Sequence, residues 1–475
     1  MRGWERIRAL AGRPSRLPPL LSVGALLAAS VQLVRVARSY DGTPPYQIAL
    51  TGWLVVVLTF VISTSYLCVR ADRLESMLRV LALFIARHTL PALVVVCVAV
   101  YAIARLTTPR ILFGEGAQGL GYDHDGRYYG WMTDHFAWFQ QPVLAPYCFR
   151  WLAPLLVHAS GLSIFTGYHV LNGVSYLVSC ALVYKLARRY GAPPGAALLA
   201  TYGFTALKFG LKLWLYCPIQ TDGLGTALMF GVLYAVVTSR HSLYVLLLAA
   251  AIFDRENLLI LIPFHMIYHV RQNRRWGYAA TMLALQAIPV AVYGWSRWQP
   301  VFPPTASYSA VAILDSWIYT FLTLPARQGA VLMGYLNSLG LIVLMAYLGR
   351  RTLLHFLTAC PEWAYYLGIS VLLSIVGGAD VDRFAVWLAP LAVCVVARAS
   401  QAWSQPNHWQ WLHWIALHAV SMHLLIPWFP SEAFFMTRWA VHSPPDGYRW
   451  ITWGALSLVF AAVLIRTHTR RAITS

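Results

Sequence analysis

The stretch Tyr122-Asp123-His124-Asp125-Gly126-Arg127-Tyr128-Tyr129 crowds two carboxylates, an arginine and three tyrosines into one short run. A carboxylate within reach of a substrate hydroxyl can serve as a general base, a role worth about 10²–10⁴ in rate. Two aspartates one residue apart can also offer oxygens to a hard divalent ion such as Mg²⁺ or Mn²⁺. The bland alternative is that Asp125 caps a following helix, since Asp is a favoured N-cap. Other polar residues stand out downstream. Arg150 sits in Cys148-Phe149-Arg150-Trp151, and Lys208 and Lys212 lie four apart. Asp222 opens an apolar run, where it too could be a cap. Asp254-Arg255-Glu256-Asn257 and Gly377-Gly378-Ala379-Asp380-Val381-Asp382-Arg383 form two charged turns. Arginine forks suit phosphate, and cations help where a leaving group gathers negative charge. Arg255 and Glu256 could instead simply pair with each other. The histidines are scattered, mostly at helix ends, and read as no ligand pair. No HExxH, phosphate loop, dinucleotide fingerprint or Gly-x-Ser-x-Gly elbow is present.

The elements that must position these groups are apolar. Of 475 residues 59% are hydrophobic and only 11% charged, with a mean hydropathy of +0.58. Soluble domains carry about 25% charged residues. Runs long enough to cross about 30 Å of hydrocarbon recur throughout, and the alternation of a membrane β-barrel is missing. The fold expected is all-α, a polytopic membrane protein of about fourteen spans (range 11–14). These are roughly 18–36, 49–69, 89–106, 165–184, 193–212, 222–239, 242–254, 256–270, 278–296, 328–348, 362–377, 383–398, 411–429 and 449–466. The first run follows a basic start but is longer than a signal-peptide core, so it is read as a retained helix. The whole chain reads as one integral membrane domain: a basic N-terminus to residue 17, three helices over 18–106, a polar loop over 107–164, a helix bundle over 165–466, and a tail over 467–475.

The net charge of +19 does not indicate nucleic acid, because the cations sit in short clusters between apolar spans. With the N-terminus in the cytoplasm, RADRLESMLR, KLARR, SRH, RQNRR, GRR, RAS and RTHTRR all fall inside, as the positive-inside rule asks. Acids do not set orientation, yet apart from Glu5, Asp72, Glu75 and Glu362 they collect on the exterior side. Spans 242–254 and 256–270 are too short to cross a bilayer at 1.5 Å per residue, so the Asp254–Asn257 turn between them should face a polar cavity. Interfacial helices are expected over 127–139, where aromatic residues recur, over 149–159 and over 74–87. Exterior loops at 297–327 and 430–448 are long enough to cover a site. Cys148 and Cys217 both fall on the exterior side, where a disulfide between them is one option.

Asp125-Gly126-Arg127-Tyr128-Tyr129 in the first long exterior loop, followed by Arg150-Trp151-Leu152-Ala153-Pro154-Leu155-Leu156, resembles the polytopic C-type glycosyltransferases that use dolichyl- or undecaprenyl-phosphate sugars, among them mannosyl- and aminoarabinosyltransferases. Gln220-Thr221-Asp222, Arg255-Glu256 and the 377–383 turn resemble elements of bacterial members. The resemblance covers about residues 89 to 400. Two helices precede the family's usual first span, and no large soluble domain of the oligosaccharyltransferase kind follows. The resemblance implies a catalytic carboxylate at Asp125, with Asp123 as second candidate and Asp123-His124-Asp125 as an Asp-x-Asp motif for a divalent metal. No cofactor is required by it.

The function expected is transfer of a sugar from a polyprenyl-phosphate donor to a glycan, lipid or protein acceptor at the outer face of a membrane. Arg150, Lys212, Arg255 and Arg383 would meet the lipid phosphate. Asp222 and Asp382 would orient the acceptor or support those cations, and Glu256, Tyr128 and Tyr129 would bind substrate or its phosphate. A bacterial cell membrane is the expected location, with the site on the periplasmic face. Rival readings are a polymerase of lipid-linked glycans, a lipid or sugar transporter, which needs a polar path to both faces, and a silent scaffold, which predicts the three charged segments far apart.

Overall fold

A computed structural model describes residues 89–108, 125–136, 142–205, 207–273, 276–305, 310–324, parts of 328–349, 350–376 and 381–394. The expected spans at 18–36, 49–69, 411–429 and 449–466, the helix at 74–87, the loop at 430–448, and Asp123 and Asp380 lie outside the described residues. Among the described residues every regular element is helical, and the one isolated bridge joins Val143 to Pro304.

In chain order the helices that matter are α1 (Thr89–Thr107), α2 (Gly126–Asp134), α3 (Leu152–Ala159), α4 (Ile164–Arg189), α5 (Pro194–Thr205), α6 (Leu213–Tyr216), α7 (Asp222–Val237), α8 (His241–Ile252), α9 (Leu261–Asn273), α10 (Trp276–Trp298), α11 (Ala310–Thr323), α12 (Arg350–Ala359), α13 (Pro361–Val376) and α14 (Val381–Ala385). Two are long and apolar enough to cross a membrane: α4 and the Gly277–Trp298 length of α10. The α12–α13 pair, bent by 111°, makes a third if it is counted as one span. Pro361 follows the break, and proline cannot continue a hydrogen-bonded helix through its own position. Val170, Val174, Leu177 and Val178 of α4, like Val94, Val95 and Val98 of α1, point outward. An apolar face of this kind needs an apolar surrounding, and with the long apolar helices it marks a membrane protein.

α4 ends in a Schellman motif. Gly191, at φ +83°, donates to the Arg188 carbonyl and Ala192 to the Ala187 carbonyl. Glycine is the residue that adopts this left-handed turn without a Cβ penalty. The helix packs closely on α7, and the main core gathers Trp214, Tyr176, Phe230, Tyr244, Phe264, Trp363 and Tyr366 around them. A second cluster, with Tyr129, Met132, Cys148, Ala153, Tyr168 and Phe302, seats the short helices α2 and α3.

Several expectations need correction. The span expected at 193–212 is not one helix. α5 stops at Thr205, and Lys208–Lys212 forms a π turn with Gly210 at non-helical φ −88°, ψ −120°. Lys208 and Lys212 therefore do not share a regular helix face. The expected cover loop at 297–327 contains α11. The span at 256–270 opens as a 3₁₀ turn over Glu256–Ile260 before α9 begins. Cys148 and Cys217 form no disulfide; each is buried, Cys148 in the second cluster and Cys217 in the main one.

Candidate active site

Two glycines let the supporting elements close on one point. Asn172 of α4 donates to the carbonyls of Trp214 (3.2 Å) and Pro218 (2.9 Å), which pins the loop leading into α7. Gly223 lies directly beneath it. Thr221 takes the N-cap position of α7, so Asp222 is the first helical residue and not the cap, and its carboxylate is free to reach outward. One turn on, Gly225 faces the tip of the α8–α9 hairpin. A Cβ there would stand 2.8 Å from Asp254 Oδ2 and 2.8 Å from Arg255 Cγ. Gly225→Ala should therefore push the hairpin tip away, costing about 1–3 kcal/mol as overpacking does. Thermal unfolding in detergent would register it as a lowered midpoint; an unchanged midpoint would mean the tip yields freely. The same tip is tied to the polar loop by Leu152, whose N–H donates to the Phe253 carbonyl at 3.0 Å.

At that point charges alternate. Arg383 Nη1 meets Asp125 Oδ2 at 3.0 Å, and its Nη2 meets Asp222 Oδ2 at 2.7 Å. Arg255 Nη2 approaches the other Asp222 oxygen at 2.6 Å. Tyr147 donates its hydroxyl to Asp125 Oδ1 at 2.9 Å. The series Tyr147–Asp125–Arg383–Asp222–Arg255 thus joins the polar loop, α14, α7 and the hairpin tip. Asp125 occupies the N-cap position of α2, yet its side chain makes no capping bond. Its carboxylate is spent on Arg383 and Tyr147, so it is not acting as a helix cap.

A second pair lies alongside. Arg150 grips Glu256 with both prongs, Nε to Oε2 at 3.0 Å and Nη2 to Oε1 at 2.8 Å, a bidentate geometry. Arg297 stacks over Phe149 at 3.6 Å and stands 4.0 Å from Glu256. Arg255 and Glu256 therefore pair with different partners and not with each other. Burial opposes the charge on Arg150, but Glu256 and Tyr129 together keep the guanidinium more firmly protonated than usual. Burial and the neighbouring Asp125 push the Tyr147 phenol well above its ordinary range, so it remains a proton donor. Burial likewise raises the Cys148 thiol, to about 11.

Between these groups lies a narrow cleft, with a free volume of about 10 Å³, lined by Asp222, Arg255, Arg383, Thr226, Trp214 and Trp387, with Met229 and Val386. Cations and carboxylates share its wall with two indoles. Asp254, fully buried beside the cleft, has no hydrogen-bond partner on either carboxyl oxygen. Burying an ionised carboxylate without a partner is expensive.

The remaining expected residues fall as follows. Tyr128 stacks on Tyr147 (4.4 Å between rings) and accepts a hydrogen bond from Arg127; Tyr129 meets Tyr147 edge-on and is buried. Both tyrosines therefore pack behind Tyr147 and do not line the cleft. Lys212 is buried in the π turn and does not line the cleft either. Asp382 lies on α14 beside Arg383. Tyr147, Trp214 and Trp387 were not singled out from sequence. Tyr147, three residues before Arg150, carried a usable signal; two tryptophans among 20 carried none. Of the Asp123-His124-Asp125 motif only Asp125 is described, with the Arg383 guanidinium against its Oδ2 and the Tyr147 hydroxyl against its Oδ1. The separation expected of a silent scaffold is not found: the polar loop, the hairpin tip and α14 meet through ion pairs.

No protein-family model matches the chain, nor does any curated protein or any solved structure.

Proposed function

We propose that this chain is an integral membrane glycosyltransferase of about fourteen spans, built like the C-type enzymes. It moves a sugar from a polyprenyl-phosphate donor to a glycan, lipid or protein acceptor at the exterior face, with its N-terminus in the cytoplasm. The observation that supports this most is the position of Asp125, a loop carboxylate held 3.0 Å from a guanidinium that also borders the cleft.

In this reading the donor phosphate enters among Arg255 and Arg383, competing with Asp222 for their N–H groups. The acceptor hydroxyl oxygen attacks the anomeric carbon from the face opposite the phosphate. The carbon–oxygen bond to phosphate breaks, its electron pair leaves with the lipid phosphate, and the hydroxyl proton passes to Asp125. The product is inverted at the anomeric carbon. Asp222 draws both guanidiniums to the cleft, Arg383 by a hydrogen bond and Arg255 by an ion pair, so two cations stand where charge builds on the leaving phosphate. Arg150 and Glu256, locked to each other, hold the polar loop against the hairpin tip.

The test is transfer in proteoliposomes from a panel of labelled polyprenyl-phosphate sugars, scored by release of lipid phosphate. Protein-dependent release with at least one donor is expected; a folded protein that releases none across the panel overturns the proposal. A smaller effect is expected at Tyr147. Tyr147→Phe removes one hydrogen bond to a charged group, worth about 1.5–3 kcal/mol, and should lower turnover by about tenfold with donor affinity little changed. If Tyr147 is only packing, turnover will stay at the wild-type value.

A further inference from the structure

At the root of the α8–α9 hairpin, opposite its charged tip, three histidines converge: His241 at the start of α8, and His265 and His269 one turn apart on α9. One ring nitrogen from each lies within 4.8 Å of the others. We infer that they form a binding site for a late divalent transition metal, zinc first, which clamps the root of the hairpin. The inference is independent of the glycosyltransferase reading.

Two of the ring nitrogens already stand at ligand spacing. His265 Nε2 and His241 Nδ1 face each other at 3.4 Å. In a tetrahedral site with metal–nitrogen distances of about 2.0–2.1 Å, ligand nitrogens stand about 3.3–3.4 Å apart. His269 Nε2 is buried without a hydrogen bond of regular geometry, and the Val236 backbone lies close to the ring. The opposite nitrogens have partners. His241 Nε2 and His269 Nδ1 each lie 3.3 Å from the Tyr278 hydroxyl, and His265 Nδ1 lies 3.0 Å from the Gln286 amide. The Tyr278 hydroxyl can accept from the outer nitrogens, as partners around a bound metal do, whereas Gln286 presents its Nε2 as a donor and has to turn its amide oxygen toward His265 Nδ1 when a metal takes Nε2. Tyr244 stacks flat on His265 and donates to Gln286 Oε1. Tyr278 and Gln286 both belong to α10, so the clamp joins three helices.

Three imidazoles with no carboxylate among them select zinc, copper, nickel or cobalt over magnesium, manganese or calcium. Three protein ligands leave a fourth position for a small molecule such as water. The pattern His265-x-x-x-His269 puts two ligands on one helix face. That spacing is present in the sequence, whereas the convergence with His241 exists only in the fold.

The experiment uses the full chain in detergent, purified without a histidine tag, stripped with a chelator and titrated with cobalt(II). One equivalent should bind with the visible absorption of tetrahedral cobalt, and zinc should displace it. The double variant His241→Ala with His269→Ala should lose that equivalent, while added zinc should raise the unfolding temperature of wild type alone. If the variant does not fold, X-ray absorption at the zinc edge of loaded wild type decides, and imidazole scattering is expected. No cobalt or zinc uptake by wild type, equal uptake by the folded variant, or an edge without imidazole would each reduce the cluster to a hydrogen-bonded histidine network and overturn the site.

Discussion

Asp125→Asn lowers transfer from a polyprenyl-phosphate sugar by about 10²–10⁴-fold if Asp125 is the base, the range that general base catalysis supplies. Asparagine keeps an oxygen that can accept from Tyr147 or Arg383, the two partners seen at 2.9 and 3.0 Å. It loses the charge, the capacity to take a proton and one acceptor oxygen, so only one of the two hydrogen bonds survives. Arg383 retains Asp222 as its counter-ion at 2.7 Å, so the fold should survive. The measurement is turnover in proteoliposomes beside the unfolding midpoint of the same preparation. A normally folded variant with wild-type turnover would remove the base assignment. Asp125→Glu, which keeps the carboxylate but lengthens the arm, should fall between the two, because proton transfer depends on position as well as chemistry.

The second large effect is expected at Arg383, which contacts both Asp125 and Asp222. Arg383→Met leaves two carboxylates facing each other. Removing one partner of a buried pair costs about 3–5 kcal/mol. The Arg383 and Asp125 side chains retain 13% and 19% exposure, so about 3 kcal/mol, the low end, is expected. Transfer should drop by about 10²–10³-fold through loss of leaving-group stabilisation. Arg383→Lys is the sharper probe. It preserves the charge but presents a single ammonium where a planar fork now bridges two carboxylates. Stability should recover in part while turnover stays low. A lysine variant as active as wild type would show that charge alone suffices and that the bridge is incidental.

Much of this was legible in residue order. Hydropathy located α4, α7, α8 and α10 within a few residues, because helix-length apolar runs have few alternatives in a chain this poor in charge. Aromatic spacing after Asp125 anticipated α2, and the short apolar runs around Asp254 anticipated the hairpin. What was hidden has physical reasons. A local rule says that Asp125 and Asp222 cap helices; long-range arginines overrode it, and sequence carries no register between residues 125, 222 and 383. Arg255 and Glu256 are neighbours in sequence, yet backbone direction sends them to Asp222 and Arg150. The run at 193–212 is apolar enough for one helix, and only Gly210 hinted at the break. His241 becomes a neighbour of His265 and His269 only once α8 turns back on α9.

The length of α8 carries a last consequence. Its 12 residues rise about 18 Å at 1.5 Å per residue, about 12 Å short of a hydrocarbon layer of about 30 Å. A helix root at one water boundary therefore leaves Arg255 and Glu256 recessed beneath the other, while a lipid phosphate rides at the surface. To bring the two together the bilayer must dimple or the lipid must sink. Either deformation costs fractions of a kcal/mol per Å, so the thickness of the host membrane becomes a term in how readily a lipid headgroup reaches the guanidiniums.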